Sequence, residues 1–222
     1  MPPLLIILIL IGIAAFGFVA WQQDKKRREA LRVWAAGRSW NIDTDRQRDW
    51  HQRFPGLKLF TKGHSRWGRN IVTGQFRDRP ATALDYKYTT GSGKNRTTHR
   101  VSLVILQVDF PTIPLFIRRE NPFDKVGEFF GADDIDFESA EFSRKFYVKS
   151  PDKRWAYDVI HTRAMEYLLK APSFNIEFGH GEIAVYRGGW PDPDRHEQAL
   201  KLAGDLLDMI PDYVIKQLKG AN

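Results

Sequence analysis

From Leu4 to Trp21 the chain reads LLIILILIGIAAFGFVAW, a run without a charge that closes on an aromatic residue. At about 1.5 Å of rise per residue such a run makes a helix of roughly 27 Å, close to the hydrocarbon core of about 30 Å. The pattern predicts a transmembrane anchor over 1–21. A buried core helix would carry a polar face, which this run lacks. Cleavage as a signal peptide is disfavoured, because Met1-Pro2-Pro3 brings no cation and Phe18 sits in the third place before a cut after Ala20. Beyond the anchor, Ala30, Leu31, Trp34 and Ala35 share one helical stripe and Gly37 supplies a stop. We read 22–37 as a juxtamembrane basic helix whose stripe is a seam against the single domain expected over 38–222.

The stretch Asn41 to Gly68 has no clear period and reads as loop-rich. From Asn70 the period becomes two, predicting strands over 70–76 and 81–89 around a turn at Arg77-Asp78-Arg79-Pro80. The stretch 99–108 is apolar on both faces, as a central strand is. Two prolines, Pro111 and Pro114, then precede a short strand over 115–119, expected at an edge. Asn121-Pro122 signals a helix ending at Gly131, and 139–145 a further helical turn before a strand over 146–149. Ser150 and Thr162 read as caps of two more helices, ending at Val159 and Lys170. Alternation over 174–185 around Gly179-His180-Gly181 predicts a hairpin. Asp192-Pro193 opens an amphipathic helix that Pro211 stops. About seven mostly antiparallel strands, with helices concentrated in the C-terminal half, define an α+β fold; a small barrel capped by the last helix is the alternative.

Charge orients the anchor. Lys25, Lys26, Arg27, Arg28 and Arg32 follow the apolar run, so the positive side is C-terminal and the body is expected in the cytoplasm of an inner-membrane protein, with the N-terminus outside. Trp21 suits the headgroup level. These six residues are the expected membrane-surface contacts, with anionic headgroups as the partner. From Gln22 to Arg119 there are 21 Lys and Arg against 8 Asp and Glu; from Glu120 to Asn222 there are 13 against 19. The basic half is therefore the membrane-proximal half. Nucleic acid is a weaker explanation, since no recognition module is visible. With 0 cysteines, disulfides, thiol catalysis and thiolate metal sites are excluded.

The run IDFESAEFSRKFYVKSPDKRWAYDVIHTRAMEYLL, from Ile135 to Leu169, together with Asp85-Tyr86-Lys87-Tyr88, the Gly-Ser-Gly-Lys loop and Phe110-Pro111, resembles a bacterial family of membrane-anchored proteins with no established activity. The resemblance covers roughly 57–189. It implies one membrane-tethered domain and brings no catalytic residue or cofactor with it.

Motifs that suggest chemistry fail on spacing. Gly91-Ser92-Gly93-Lys94 lacks the first glycine of a phosphate loop and is followed by Asn95 where Ser or Thr is needed, between strands rather than before a helix. What survives is a basic tip, Lys87, Lys94, Arg96 and Arg100, which with Trp190 forms the expected set of ligand or partner contacts. The acidic patch Asp133, Asp134, Asp136 and Glu138 has Ser139 where a calcium loop needs glycine and Lys145 where it needs a bidentate Glu. His196-Glu197 lacks the second histidine of a zinc-protease helix, Leu200 standing there. His161 and His180 lie at turns, where histidines are mostly solvated. No catalytic site, metal or cofactor is expected. The leading expectation is a non-catalytic interaction or scaffold domain at the cytoplasmic face, with an unidentified protein partner. The alternatives are a tethered enzyme, such as a hydrolase, using acidic residues and a histidine brought together by folding, and a nucleic-acid-binding protein.

Overall fold

The computed structural model describes residues 3–120, 135–189 and 193–220. A single helix, α1, runs unbroken from Pro3 to Ala36, 34 residues or about 51 Å at ~1.5 Å per residue. It thus joins the apolar run to the basic segment without a hinge. Among the described residues no helix is long and apolar enough to cross a membrane.

After α1 come β1 (Asn41–Asp43), α2 (Trp50–Arg53), β2 (His64–Phe76), β3 (Arg79–Thr90), β4 (Thr97–Gln107) and β5 (Leu115–Arg119). Then follow α3 (Ala140–Lys145), β6 (Phe146–Lys149), α4 (Lys153–Val159), α5 (Thr162–Lys170), β7 (Asn175–Phe178), β8 (Glu182–Gly188), α6 (Pro193–Met209) and α7 (Asp212–Gly220). The strands form one 8-stranded sheet in the order β1-β2-β3-β4-β8-β7-β5-β6. All of its pairings are antiparallel. The fold is α+β with an open sheet, which removes the barrel alternative.

Both faces of the sheet are covered. Ala81 and Ala83 on β3, Val104 and Leu106 on β4, and Ile183 and Val185 on β8 meet Ala35 of α1 and the apolar sides of α3 to α7. The opposite row, Leu84 and Tyr86, Val101, Leu103 and Ile105, is covered by Trp50, Phe54, Leu57, Leu59 and Phe60. This second layer explains the segment without a period: 44–63 follows the contour of a sheet face with α2 and a 3-10 turn at Lys58–Thr61 instead of presenting one regular stripe. The apolar double face of β4 follows from its place between β3 and β8.

Several boundaries differ from expectation. β5 lies between β7 and β6, with β6 at the edge, because the β7–β8 hairpin supplies a partner that local sequence does not announce. Arg77 and Asp78, both at positive φ, make a two-residue turn, so Pro80 enters β3. The cap of α4 is Asp152, accepting from the Trp155 amide at 3.0 Å, while Ser150 accepts from the Asp152 amide. The cap position of α5 is His161, not Thr162. Ser139 does cap α3, and α7 was not anticipated after Pro211. The helix expected at 121–131 lies outside the described residues.

Close packing singles out Gly68: a Cβ there would stand 2.4 Å from Trp50 Nε1 and 2.6 Å from Leu84 Cδ1, whereas one at Gly188 would meet nothing within 4 Å. Overpacking of this kind costs about 1–3 kcal/mol. Gly68→Ala should lower stability by that amount and Gly188→Ala should leave it within about 0.5 kcal/mol, as read by chemical denaturation of the detergent-solubilised chain.

Candidate membrane-proximal surface

The helical stripe predicted as a seam meets the sheet through both apolar and polar contacts. Leu31 and Ala35 are buried and Trp34 half-buried, while Ala30 stays exposed. One and two turns before Leu31 the contacts become ionic. The Arg27 guanidinium donates to the carboxylate of Asp85, which is fully buried at the middle of β3. Asn70 Nδ2 donates to the other Asp85 oxygen at 2.7 Å. Burial pushes the Asp85 carboxyl up, and the Arg27 and Asn70 contacts oppose that. One turn earlier, Asp24 bridges Arg69 of β2 at 2.9 Å and Arg28 at 2.8 Å.

Beside this seam, α6 contributes a buried histidine. The His196 ring lies 5.5 Å from Trp34, stacked at 30°, and its Nε2 is 2.6 Å from Ser102 Oγ. Burial drives its pKa down to about 3, so the ring is neutral. Glu197 accepts from Arg38 and, at 3.4 Å, from Trp34 Nε1. This pairing of His196-Glu197 ties α6 to α1, a structural use of the dipeptide. His161 is bonded to the Met209 carbonyl at 3.0 Å, and His180 is an exposed turn residue. Asp136 and Glu138 are exposed beside the α3 cap; Asp133 and Asp134 lie outside the described residues. No group of three or more His, Asp or Glu among the described residues could hold a metal ion.

The seam also gives the body a direction. Trp40, just past the end of α1, lies against Gly74, which faces Ala81, while Arg27 meets Asp85 farther along the strand, so the N-terminal course of α1 follows β3 toward the hairpin between β3 and β4. The helix leaves the body at the end where that hairpin projects. Lys94, Arg96 and Arg100 are exposed there, and Lys87 sits 5.4 Å over the Trp67 ring. Trp21, Lys25, Lys26 and Arg32 are exposed on α1, with Lys25 5.6 Å over the Trp21 ring. Arg28 remains half-buried on Asp24. Arg27 is the correction: expected at the lipid surface, it is turned inward, because an unpaired Asp85 at the centre of the sheet would cost far more than one surface contact provides. Trp190 lies outside the described residues.

The opposite face holds a second buried carboxylate, one absent from the set expected from sequence. Glu177 of β7 is fully buried and accepts from the amides of Lys58 and, at 3.3 Å, Leu59. Burial raises its pKa to about 7, against the pull of the Lys62 ammonium and those amides. It anchors the covering segment to the sheet. Its signal was available: a Glu between Ile176 and Phe178, at a strand position as enclosed as its neighbours.

No family model matches the chain, and no curated protein matches it. Among solved structures, the crystal structure of the mycobacterial trehalose monomycolate transport factor A, TtfA, is similar over 84% of this chain and 95% of that chain. The TM-score is 0.56 and the sequence identity 15%. At that identity the likeness is one of fold: the α+β architecture of this chain is shared with a transport factor.

Removing one partner of a buried ion pair costs about 3–5 kcal/mol. Arg27→Met and Asp85→Asn should each destabilise the chain on that scale, and the double variant should fall short of their sum by about 0.5–3 kcal/mol, as measured by urea denaturation. Glu177 gives a pH dependence of known sign. Its folded pKa of about 7 lies above the ordinary 4.5, so its contribution is complete below pH 4.5 and is lost as pH rises through about 7. At ~1.4 kcal/mol per pH unit this amounts to about 3 kcal/mol. Wild type should therefore lose stability relative to Glu177→Gln between pH 4.5 and pH 7.5, and parallel curves for the two proteins would contradict it.

Proposed function

We propose that this chain is a single-pass inner-membrane protein whose α+β body stands at the cytoplasmic face and serves, without catalysis of its own, as an accessory factor in transport at that membrane. The observation that carries this reading is the continuity of α1. One helix contains the uncharged run from Leu4 and is then locked to the centre of the sheet through Arg27 and Asp85. A body fixed to its anchor in this way holds a constant orientation to the bilayer, and the end it presents is basic. The bacterial membrane-anchored family that 57–189 resembles is consistent with the same tether. The transport element comes from the fold shared with the mycobacterial trehalose monomycolate transport factor A.

Orientation is tested in cells with a reporter fused after Asn222 that is fluorescent only in the cytoplasm, paired with one that is active only outside. The cytoplasmic reporter should signal. Neutralising Lys25, Lys26, Arg28 and Arg32 while keeping Arg27 should move part of the population to the opposite topology, since each cation near an anionic surface is worth about 1 kcal/mol. An external signal from wild type would overturn the orientation. For transport, depletion of the chain should change the amount of glycolipid extractable from the cell surface; an unchanged lipid profile would remove that part of the reading.

A further inference from the structure

At the hairpin end, the start of β2, the end of β3 and the segment before α2 enclose a cleft of about 460 Å³. Its volume falls in the usual range of ligand pockets, roughly 300–1,000 Å³. Arg48, Arg66, Lys87 and Arg96 line it, together with His51 and His64, and no Asp or Glu among the described residues does. None of these four cations forms a salt bridge with a described carboxylate. At the other end of β3, by contrast, Arg77 and Arg79 pair closely with Asp205 and Asp208. Cations gathered in one concavity repel one another, and an arrangement left without counter-charge is the form of a site for an anion.

The positioning is specific. Arg66 Nη1 donates to the Thr61 carbonyl at 2.8 Å, which fixes the guanidinium and leaves its other donors available. His64 is held between Ser65 Oγ at 3.1 Å and the Gly91 carbonyl at 3.0 Å. Thr89 also lines the cleft; it is fully buried, and its hydroxyl has no hydrogen-bond partner among the described residues.

The geometry points to a binding site for a phosphate group carrying about two charges, a phosphomonoester or a pyrophosphate, held by Arg48, Arg66, Lys87 and Arg96. Three guanidinium forks match several phosphate oxygens at once, whereas a single carboxylate would leave most of these donors unused. The site stands independently of the transport reading. The phosphate arrives either on a lipid headgroup or on a soluble ester.

The test is isothermal titration of the full chain in non-ionic detergent with inorganic pyrophosphate, followed by competition with short-chain phosphatidic acid and with phosphatidylcholine of the same chain length. Saturable one-site binding is expected. Arg48→Gln with Arg96→Gln should weaken it at least about tenfold, the scale of one lost charge-assisted hydrogen bond. Arg144→Gln, the same kind of change at an exposed cation of α3, should leave it within about twofold. Displacement by phosphatidic acid but not phosphatidylcholine assigns the site to a lipid phosphate; binding of pyrophosphate without such displacement assigns it to a soluble ester. Absence of binding by both probes, or equal losses in the Arg48/Arg96 and Arg144 variants, would overturn the proposal.

Discussion

The ion pair between Arg27 and Asp85 is the contact on which the arrangement of this protein depends. A carboxylate at the middle of a central strand, without access to water, is tolerated only where a cation reaches it and its remaining lone pairs are bonded. Arg27 supplies the cation and Asn70 the further bond. The cation sits on the helix that contains the apolar run, so satisfying the charge also fixes the angle and register at which that helix crosses the sheet. Trp34 against His196, and Arg38 with Glu197, extend the same joint to α6. A tether through a flexible linker would have left Asp85 unpaired.

The second buried carboxylate solves a related problem on the other face. The segment 44–63 has little regular structure, and its exposed amides would gain nothing from lying on an apolar sheet. Glu177 takes two of these amides, while Trp50, Phe54 and Phe60 supply the apolar cover. Both carboxylates therefore dock a covering element onto the sheet, one a helix and the other an irregular strap. They differ in charge compensation: Asp85 has a guanidinium in contact, while Glu177 is opposed in its burial by the Lys62 ammonium and by two amides, and its pKa rises to about 7.

The docking of α1 also decides which cations are free for other work. Arg27 and Arg69 are committed to the seam, and Arg77 and Arg79 to α6. The cations of the hairpin end and its cleft have no such commitments to described carboxylates. The basic half of the sequence is thus divided into a structural set inside the joint and a surface set at the end where the helix emerges.

The elements with strong local pattern were legible in the sequence. The strands around β3 and β4, the β7–β8 hairpin, the stripe of α6 and the apolar run each bury one regular set of positions, and periodicity reports that directly. Residues 44–63 were not legible, because a strap that follows a sheet face has no period. The inner place of β5 was hidden as well, since its neighbours are β6 and β7, far from it in sequence. At the surface, Lys25, Lys26 and Arg32 lie outward as their sequence predicts, but nothing local separates Arg27 from them: a run of cations looks uniform until a buried partner selects one. The cleft was legible in part: Lys87 and Arg96 belong to the basic tip expected to meet a ligand, whereas Arg48 and Arg66 join them only through the folding of β2 and β3 against the preceding strap. Charge asymmetry and local period are properties of the sequence itself. Tertiary structure decided which charges are paired, because pairing depends on contacts between segments that no local pattern encodes.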